Sequence, residues 1–178
     1  MNVFEAIQQR REITRFQNKA IEPNILEQLL DAGYLAPAGN NLPSREFILV
    51  TDRSMLMHLE QTTPFMPWLK EANAAIVVTG RPDISKYWVQ DASIACAFIW
   101  LAATECGIGT GFGAVYHAHD PEESERREEY VRHALNIPAD RRVLAILGFG
   151  YAAEEPKPKK HLPREEIVFY ETFGKNER

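Results

Sequence analysis

Cations crowd the start of this chain: Arg10, Arg11, Arg15 and Lys19 fall within ten residues and are opposed only by Glu12. A guanidinium is a planar fork of N–H donors that matches phosphate oxygens two at a time, so the cluster is a candidate anion site. Helix-end charges left in solvent are the plain alternative. A second positive set, Lys157, Lys159, Lys160 and His161, stands near the other end. The two clusters could close on one phosphate.

Other patterns carry less. The run GIGTGFGA at 107–114 contains a relaxed GxGxxA beginning at Gly109, but it follows a helix-like segment instead of a strand, which argues against a dinucleotide fold. What remains is a helix-to-strand turn, or a glycine backbone that a flat ligand approaches without meeting a Cβ. On a strand, His117 and His119 would face one side as metal ligands do. No third ligand stands at a recognisable spacing, so surface histidines are the expectation and no metal is assigned. Hydrolytic nucleophile chemistry finds no GxSxG elbow and no Cys–His signature. Cys96 and Cys106 share a helix-like run about 15 Å apart, too far to bridge, and read as small core hydrophobes.

These candidates sit in a chain of 178 residues, 45% hydrophobic and 25% charged, with 20 basic and 25 acidic side chains. Such values describe one soluble domain with a substantial core. A pI near 5.6 without a basic block argues against nucleic acid as the main partner. The start lacks a basic-then-apolar signal segment, and the longest apolar stretch, around 92–103, is shorter than the roughly 20 residues of a membrane span. The expectation is a cytoplasmic protein with no membrane partner.

Periodicity predicts the elements that must hold the candidates. A short helix covers 2–10 with Val3, Phe4 and Ile7 on one face, and a second runs from Pro23 to Gly33 on Ile25, Leu26, Leu29 and Leu30. A Gly-, Pro- and Asn-rich loop at 35–46 leads into a strand at 47–51. A helical patch at 53–61 precedes an irregular stretch to residue 73 and a strand at 74–80. The next helix has Asp91 as its N-cap, Gly107 as its stop and apolar residues on nearly every side, the pattern of an element buried in a core or an interface. An acidic surface helix at 121–135 and a strong strand at 143–151 follow. From Ala152 onward, Pro156, Pro158 and Pro163 predict an extended arm. Few, late strands among helices predict a single three-layer α+β or α/β domain over 1–178.

Five segments, in order and spanning nearly the whole chain, resemble landmarks of the FMN-dependent nitroreductase family: RREITRF at 10–16, APAGNNLPSREFILV at 36–50, CGIGTGFGA at 106–114, IPADRRVLAILGFGY at 137–151 and KPKKHLPREEIVFYE at 157–171. The resemblance implies an α+β, three-layer fold with a mainly antiparallel central sheet, intertwined as a homodimer. FMN would lie at the subunit interface, with the arm at 152–178 embracing the partner. By position, it places Arg10, Arg11, Glu12 and Thr14 beside the flavin, with Lys159 and His161 gripping its phosphate. Pro37, Ala38, Gly39 and Asn41 would line the ring from the other subunit, and the backbone at Gly113 and Ala114 would lie near its reactive N5 edge. FMN would take a hydride from NADH or NADPH and pass it, by ping-pong turnover, to an electron-poor small molecule such as a nitroaromatic or a quinone. The chemistry is the cofactor's, so no catalytic side chain is implied.

Departures from that pattern matter. The family usually reads Arg-Arg-Ser-x-Arg, whereas Glu12 replaces the Ser and Thr14 replaces the second Arg, a cation set near the flavin N1 and O2. Arg45 stands where a large aromatic is usual, and His161 where arginine is common. Phe65, Met66 and Trp68 could roof an acceptor pocket with Arg45 at its shoulder; ordinary core packing is the alternative for the three apolar residues. Rival functions are a flavin-binding or carrier protein with little turnover, and a variant acting on oxygen or halogenated substrates.

Overall fold

The computed structural model describes residues 1–177. Helices begin where a side chain or a proline relieves their first unpaired N–H groups. Before α1 (Val3–Gln9), the Asn2 side chain accepts from the Glu5 N–H while the Glu5 carboxylate accepts from the Asn2 N–H. Pro23 opens α2 (Pro23–Tyr34), Asp52 caps α3 (Arg53–Leu59) and Asp120 caps α5 (Pro121–Leu135), which ends on left-handed Asn136. The long α4 (Trp88–Glu105) begins without a side-chain cap. Its predicted N-cap, Asp91, instead lies inside the first turn and is buried, because its carboxylate serves the loop at 39–44.

Four strands, β1 (Arg45–Val50), β2 (Ala74–Gly80), β3 (Gly109–Ala114) and β4 (Arg142–Gly150), form one sheet in the order β1-β2-β4-β3, antiparallel throughout. The central strands β2 and β4 are buried on both faces, which explains their unbroken apolar runs. Leu26 and Leu29 of α2 with Ala92, Cys96, Ile99 and Ala103 of α4 pack on Ile76, Val78 and Leu147; α1 lies against α4. On the opposite face Leu56 and Leu59 of α3, Leu69 and Val131 of α5 pack on Ala75, Val77 and Ile146. Helix, sheet and helix make the three layers of an α+β fold.

Two expectations change. Residues 109–114 are not a helix-to-strand turn; they form the edge strand β3, paired with β4 along its length. Glycine disfavours strands, and here it is present because side chains lie where its Cβ would be. A Cβ at Gly109 would stand 2.8 Å from Ile13 Cγ2, one at Gly111 2.8 Å from Trp68 Cζ3, and one at Gly113 1.7 Å from Met66 Sδ. The second change concerns α5, which hides a charged face. Glu128 is fully buried and is held by Arg142 through two bonds of 2.7 and 2.8 Å, by the Val143 N–H at 2.9 Å and by the Ser124 hydroxyl at 2.8 Å. Burial raises the Glu128 pKa; Arg142, Val143 and Ser124 outweigh it and hold the carboxyl below its ordinary value.

Beyond Ala152 the chain leaves the body as an arm. It is tied at its root by Ala153 N–H to Arg15 O at 3.0 Å, and farther out bonds mostly to itself, as in Tyr170 N–H to Lys175 O at 2.7 Å. Leu162, Ile167 and Phe173 are exposed on it. Among the described residues no helix is long and apolar enough to cross a membrane.

Candidate functional site

β3 has one partner, so half of its peptide groups face outward. The Thr110 carbonyl accepts the Ile13 N–H at 2.9 Å, and Val115 N–H turns the other way to Leu144 O at 3.0 Å. Main-chain direction alternates along a strand, so Phe112 and Ala114 also present their N–H groups to the free edge while Gly113 pairs inward with β4. The segment carrying Arg10, Arg11, Glu12 and Thr14 is strapped along this edge through Ile13 and the bridge from Glu12 to Thr110. Of the two predicted backbone positions, Ala114 therefore has the available donor.

Aromatic stacking fixes the same corner. Phe112 stacks on Trp100 of α4 with centroids 6.0 Å apart and planes at 9°, and the Arg10 guanidinium lies 4.6 Å from the Trp100 ring centroid. Trp100 Nε1 donates to Arg11 O at 3.3 Å. Arg11 then donates to Gln8 O at 2.7 Å, Arg10 O at 2.9 Å and Lys157 O at 3.3 Å, which ties the amino-terminal segment to the arm. Arg10 pairs with no carboxylate among the described residues. A crease of about 310 Å³ lies between residues 11–15 and 154–157, and its charges are mixed, with Glu12, Glu154 and Glu155 beside Arg11, Arg15 and Lys157. Thr14 lines it. Lys159 and His161 are exposed and do not line that crease.

The loop bearing Pro37, Ala38, Gly39 and Asn41 lies elsewhere. Asn40 and Asn41 take left-handed φ values of 53° and 55°, a conformation that asparagine tolerates. Asp91 clasps the loop, accepting from Gly39 N–H at 2.8 Å and Ser44 Oγ–H at 2.5 Å. A Cβ on Gly39 would sit 3.2 Å from Tyr87 Cδ2, so the close approach to α4 favours glycine. Tyr34, Pro37, Asn41, Arg45 and Phe47 line a cavity of about 450 Å³ beside it. Asp91 and Trp100 are nine residues apart on α4, about 14 Å along the axis and half a turn around it. The structure thus places the two predicted half-sites on opposite faces of one helix.

Remaining candidates sort plainly. Phe65 is exposed, but Met66 is 1% exposed with its sulfur under Gly113, and Trp68 fills the space over Gly111 and Gly148. Met66 is a core residue and Trp68 packs half-buried against the core, because the glycine face of the sheet leaves room for them. His117 and His119 are on a loop, where His117 Nδ1 accepts the Asp120 N–H at 2.9 Å, and no described group of His, Cys, Asp and Glu could hold a metal. Cys96 is buried in the core, which pushes its thiol up to about 12, and Cys106 is half-buried. Sequence reasoning missed the clasp by Asp91 and the stack of Trp100 on Phe112. A carboxylate in the first turn of a mostly apolar helix is the available signal for the first.

Comparison with known proteins bears on the family and the fold. The sequence model described as "Nitroreductase family" matches residues 7–151. Curated proteins of Methanothermobacter thermautotrophicus and Archaeoglobus fulgidus, both named "Putative NADH dehydrogenase/NAD(P)H nitroreductase", are 33% and 36% identical; the alignments cover 88% and 85% of this chain and 80% and 86% of those proteins. A solved structure described as an FMN-dependent nitroreductase from Clostridium difficile superposes with a TM-score of 0.87 at 30% identity, covering 96% of this chain and 99% of that one. The family match over most of the chain, these relatives and the shared fold show that the chain belongs to the nitroreductase family.

Proposed function

We propose that the protein is an FMN-dependent oxidoreductase that uses NADH or NADPH to reduce electron-poor small molecules such as nitroaromatics or quinones, and that it works as a homodimer. The observation that carries this reading is the segment 10–14 strapped along the free edge of β3. The donor set there suits FMN: Arg10 has no carboxylate partner among the described residues and can meet a phosphate, and the outward N–H of Ala114 can donate to a ring nitrogen. FMN, when bound, supplies the hydride chemistry. The chain's residues bind and orient it. Arg11 keeps the amino-terminal segment and the arm together, bringing Lys159 and His161 within the arm's reach of the same phosphate. Phe112, braced by Trp100, holds the edge flat.

A second copy completes the site. Pro37, Ala38, Gly39 and Asn41 lie across α4 from the edge of their own β3, so their place beside a flavin is in the partner's site. Val3, Phe4 and Ile7 of α1 with Ile94 and Phe98 of α4 are exposed apolar residues on packed helices, the composition of a subunit contact. Steady-state rates measured anaerobically with NADH or NADPH against a nitroaromatic or a quinone test the reading. Parallel double-reciprocal lines are expected, because donor and acceptor use the same site in turn. Bound FMN that is bleached by neither nucleotide would instead favour a flavin carrier.

A further inference from the structure

The strongest unassigned feature is the charge of Arg45. We propose that the cavity beside Arg45 takes planar aromatic carboxylates, seated by their carboxylate on the Arg45 guanidinium, and that this residue makes the acceptor site selective for anions. The inference rests on the proposed function, since it names the substrate class of the same loop.

Burial and pairing carry it. Arg45 opens β1 and is half-buried, yet it forms no ion pair with any described residue. Among the described residues only Arg10 and Arg11, at the amino-terminal segment, share this combination of partial burial and no ion pair; the arginines packed elsewhere are paired. Arg127 pairs with Glu123, Arg132 with Glu125 and Glu128, Arg141 with Glu46, and Arg142 with Glu128. Arg45 Nη2 donates to Ala36 O, which fixes the group, while Nε is sealed from water without a partner and Nη1 bonds to no described residue. With Nε sealed and Nη2 engaged by Ala36 O, the Nη1 donors of a fixed guanidinium are left for a carboxylate that enters the cavity.

The walls describe the rest of the ligand. Tyr34, Leu35, Pro37, Pro43 and Phe47 give apolar and aromatic surface, Asn41 gives one amide, and no carboxylate lines the cavity to compete for the cation. Its volume of about 450 Å³ accepts a single-ring acid. Arg45 also sits on the loop's far end from Gly39, so the Asp91 clasp at Ser44 fixes the residue immediately before it.

Holoenzyme, Arg45→Met and Arg45→Lys are compared with para-nitrobenzoate and its neutral methyl ester. The wild-type kcat/KM ratio of acid to ester is expected to fall about tenfold or more in Arg45→Met, the loss of one charge-assisted hydrogen bond, and to be partly restored in Arg45→Lys. Equilibrium binding of benzoate and benzamide gives a readout without turnover. Benzoate binding should weaken about tenfold in Arg45→Met while the benzamide affinity changes less. Equal acid-to-ester ratios in wild type and Arg45→Met, or unchanged benzoate affinity, overturn the proposal. A substitution that changes FMN affinity or potential but leaves benzoate binding intact also overturns it, assigning Arg45 to the cofactor. Should the wild type reduce neither nitro compound, the proposed function fails, and the benzoate titration still decides the anion site.

Discussion

Thr14 and Asp91 mark the two ends of what single residues do here. Thr14 lines the crease beside the strapped segment, at the position where the family resemblance expects a cation. A charge-assisted hydrogen bond to the reduced flavin is worth about 1.5–3 kcal/mol. At about 30 mV per 1.4 kcal/mol, Thr14→Arg should raise the FMN midpoint by roughly 30–65 mV in a spectroelectrochemical titration. A midpoint equal to wild type or lower contradicts that placement. Asp91→Ala removes both ties to the loop and should weaken FMN binding about tenfold, read by fluorescence titration; Asp91→Asn should retain part of the affinity, since its amide oxygen still accepts the Gly39 N–H. Arg10 and Arg11 were legible in the sequence because clustered cations stand out in an acidic chain. Asp91 was not, because near a helix start an aspartate reads as a cap, and only the fold reveals the loop above it.

At the level of elements, the glycines of β3 and the charges of α5 each disguise a packed surface. Gly113→Ala drives a methyl into the buried Met66 and should cost about 1–3 kcal/mol, a fall in Tm of several degrees. Shortening Met66 to Ala in the same chain should restore the space and recover FMN binding lost by the single variant; no recovery would mean the glycine serves the ligand directly. The sequence located α2, α5, β2 and β4 well, since their periodicity or apolar runs are strong. It could not locate β3, where pairing with β4 and room for Trp68 and Met66 override a weak strand propensity.

Glu128 of α5 gives the element a pH signature. Its carboxyl is depressed in the folded state, so its contribution to stability is present above the unfolded pKa of about 4.3 and is lost as pH falls through the folded value. Glu123, drawn down to about 2 by Arg126 and Arg127, has the same sign. Glu128→Gln should cost about 2–4 kcal/mol at neutral pH, moderated because Arg142 keeps 33% of its side chain exposed. It should also flatten the decline in denaturant stability as pH falls below about 4.3. An unchanged acid profile would show that other carboxylates carry that decline.

For the whole molecule, the half-turn between Asp91 and Trp100 has the largest consequence. If each site joins one chain's segment 10–14 to its partner's loop 37–41, an inactive Arg10→Ala/Arg11→Ala chain and an inactive Asn41→Ala chain should complement each other. A mixed dimer has one intact site, so it should show about half the activity of wild type, and a randomly reassorted equal mixture about a quarter; mixtures with no recovered activity contradict a shared site. The apolar character of α4 predicted burial in a core or an interface, and the exposed Ile94 and Phe98 identify the part of that helix that one chain leaves uncovered. Carrying FMN and passing electrons through it is the function proposed for this fold. It is tested most directly by releasing the bound flavin from purified protein and, in a parallel anaerobic sample, adding NADH or NADPH. The protein is expected to be yellow, to release FMN on denaturation and to have its flavin bleached rapidly by at least one of the nucleotides. A colourless protein that does not take up added FMN would contradict it.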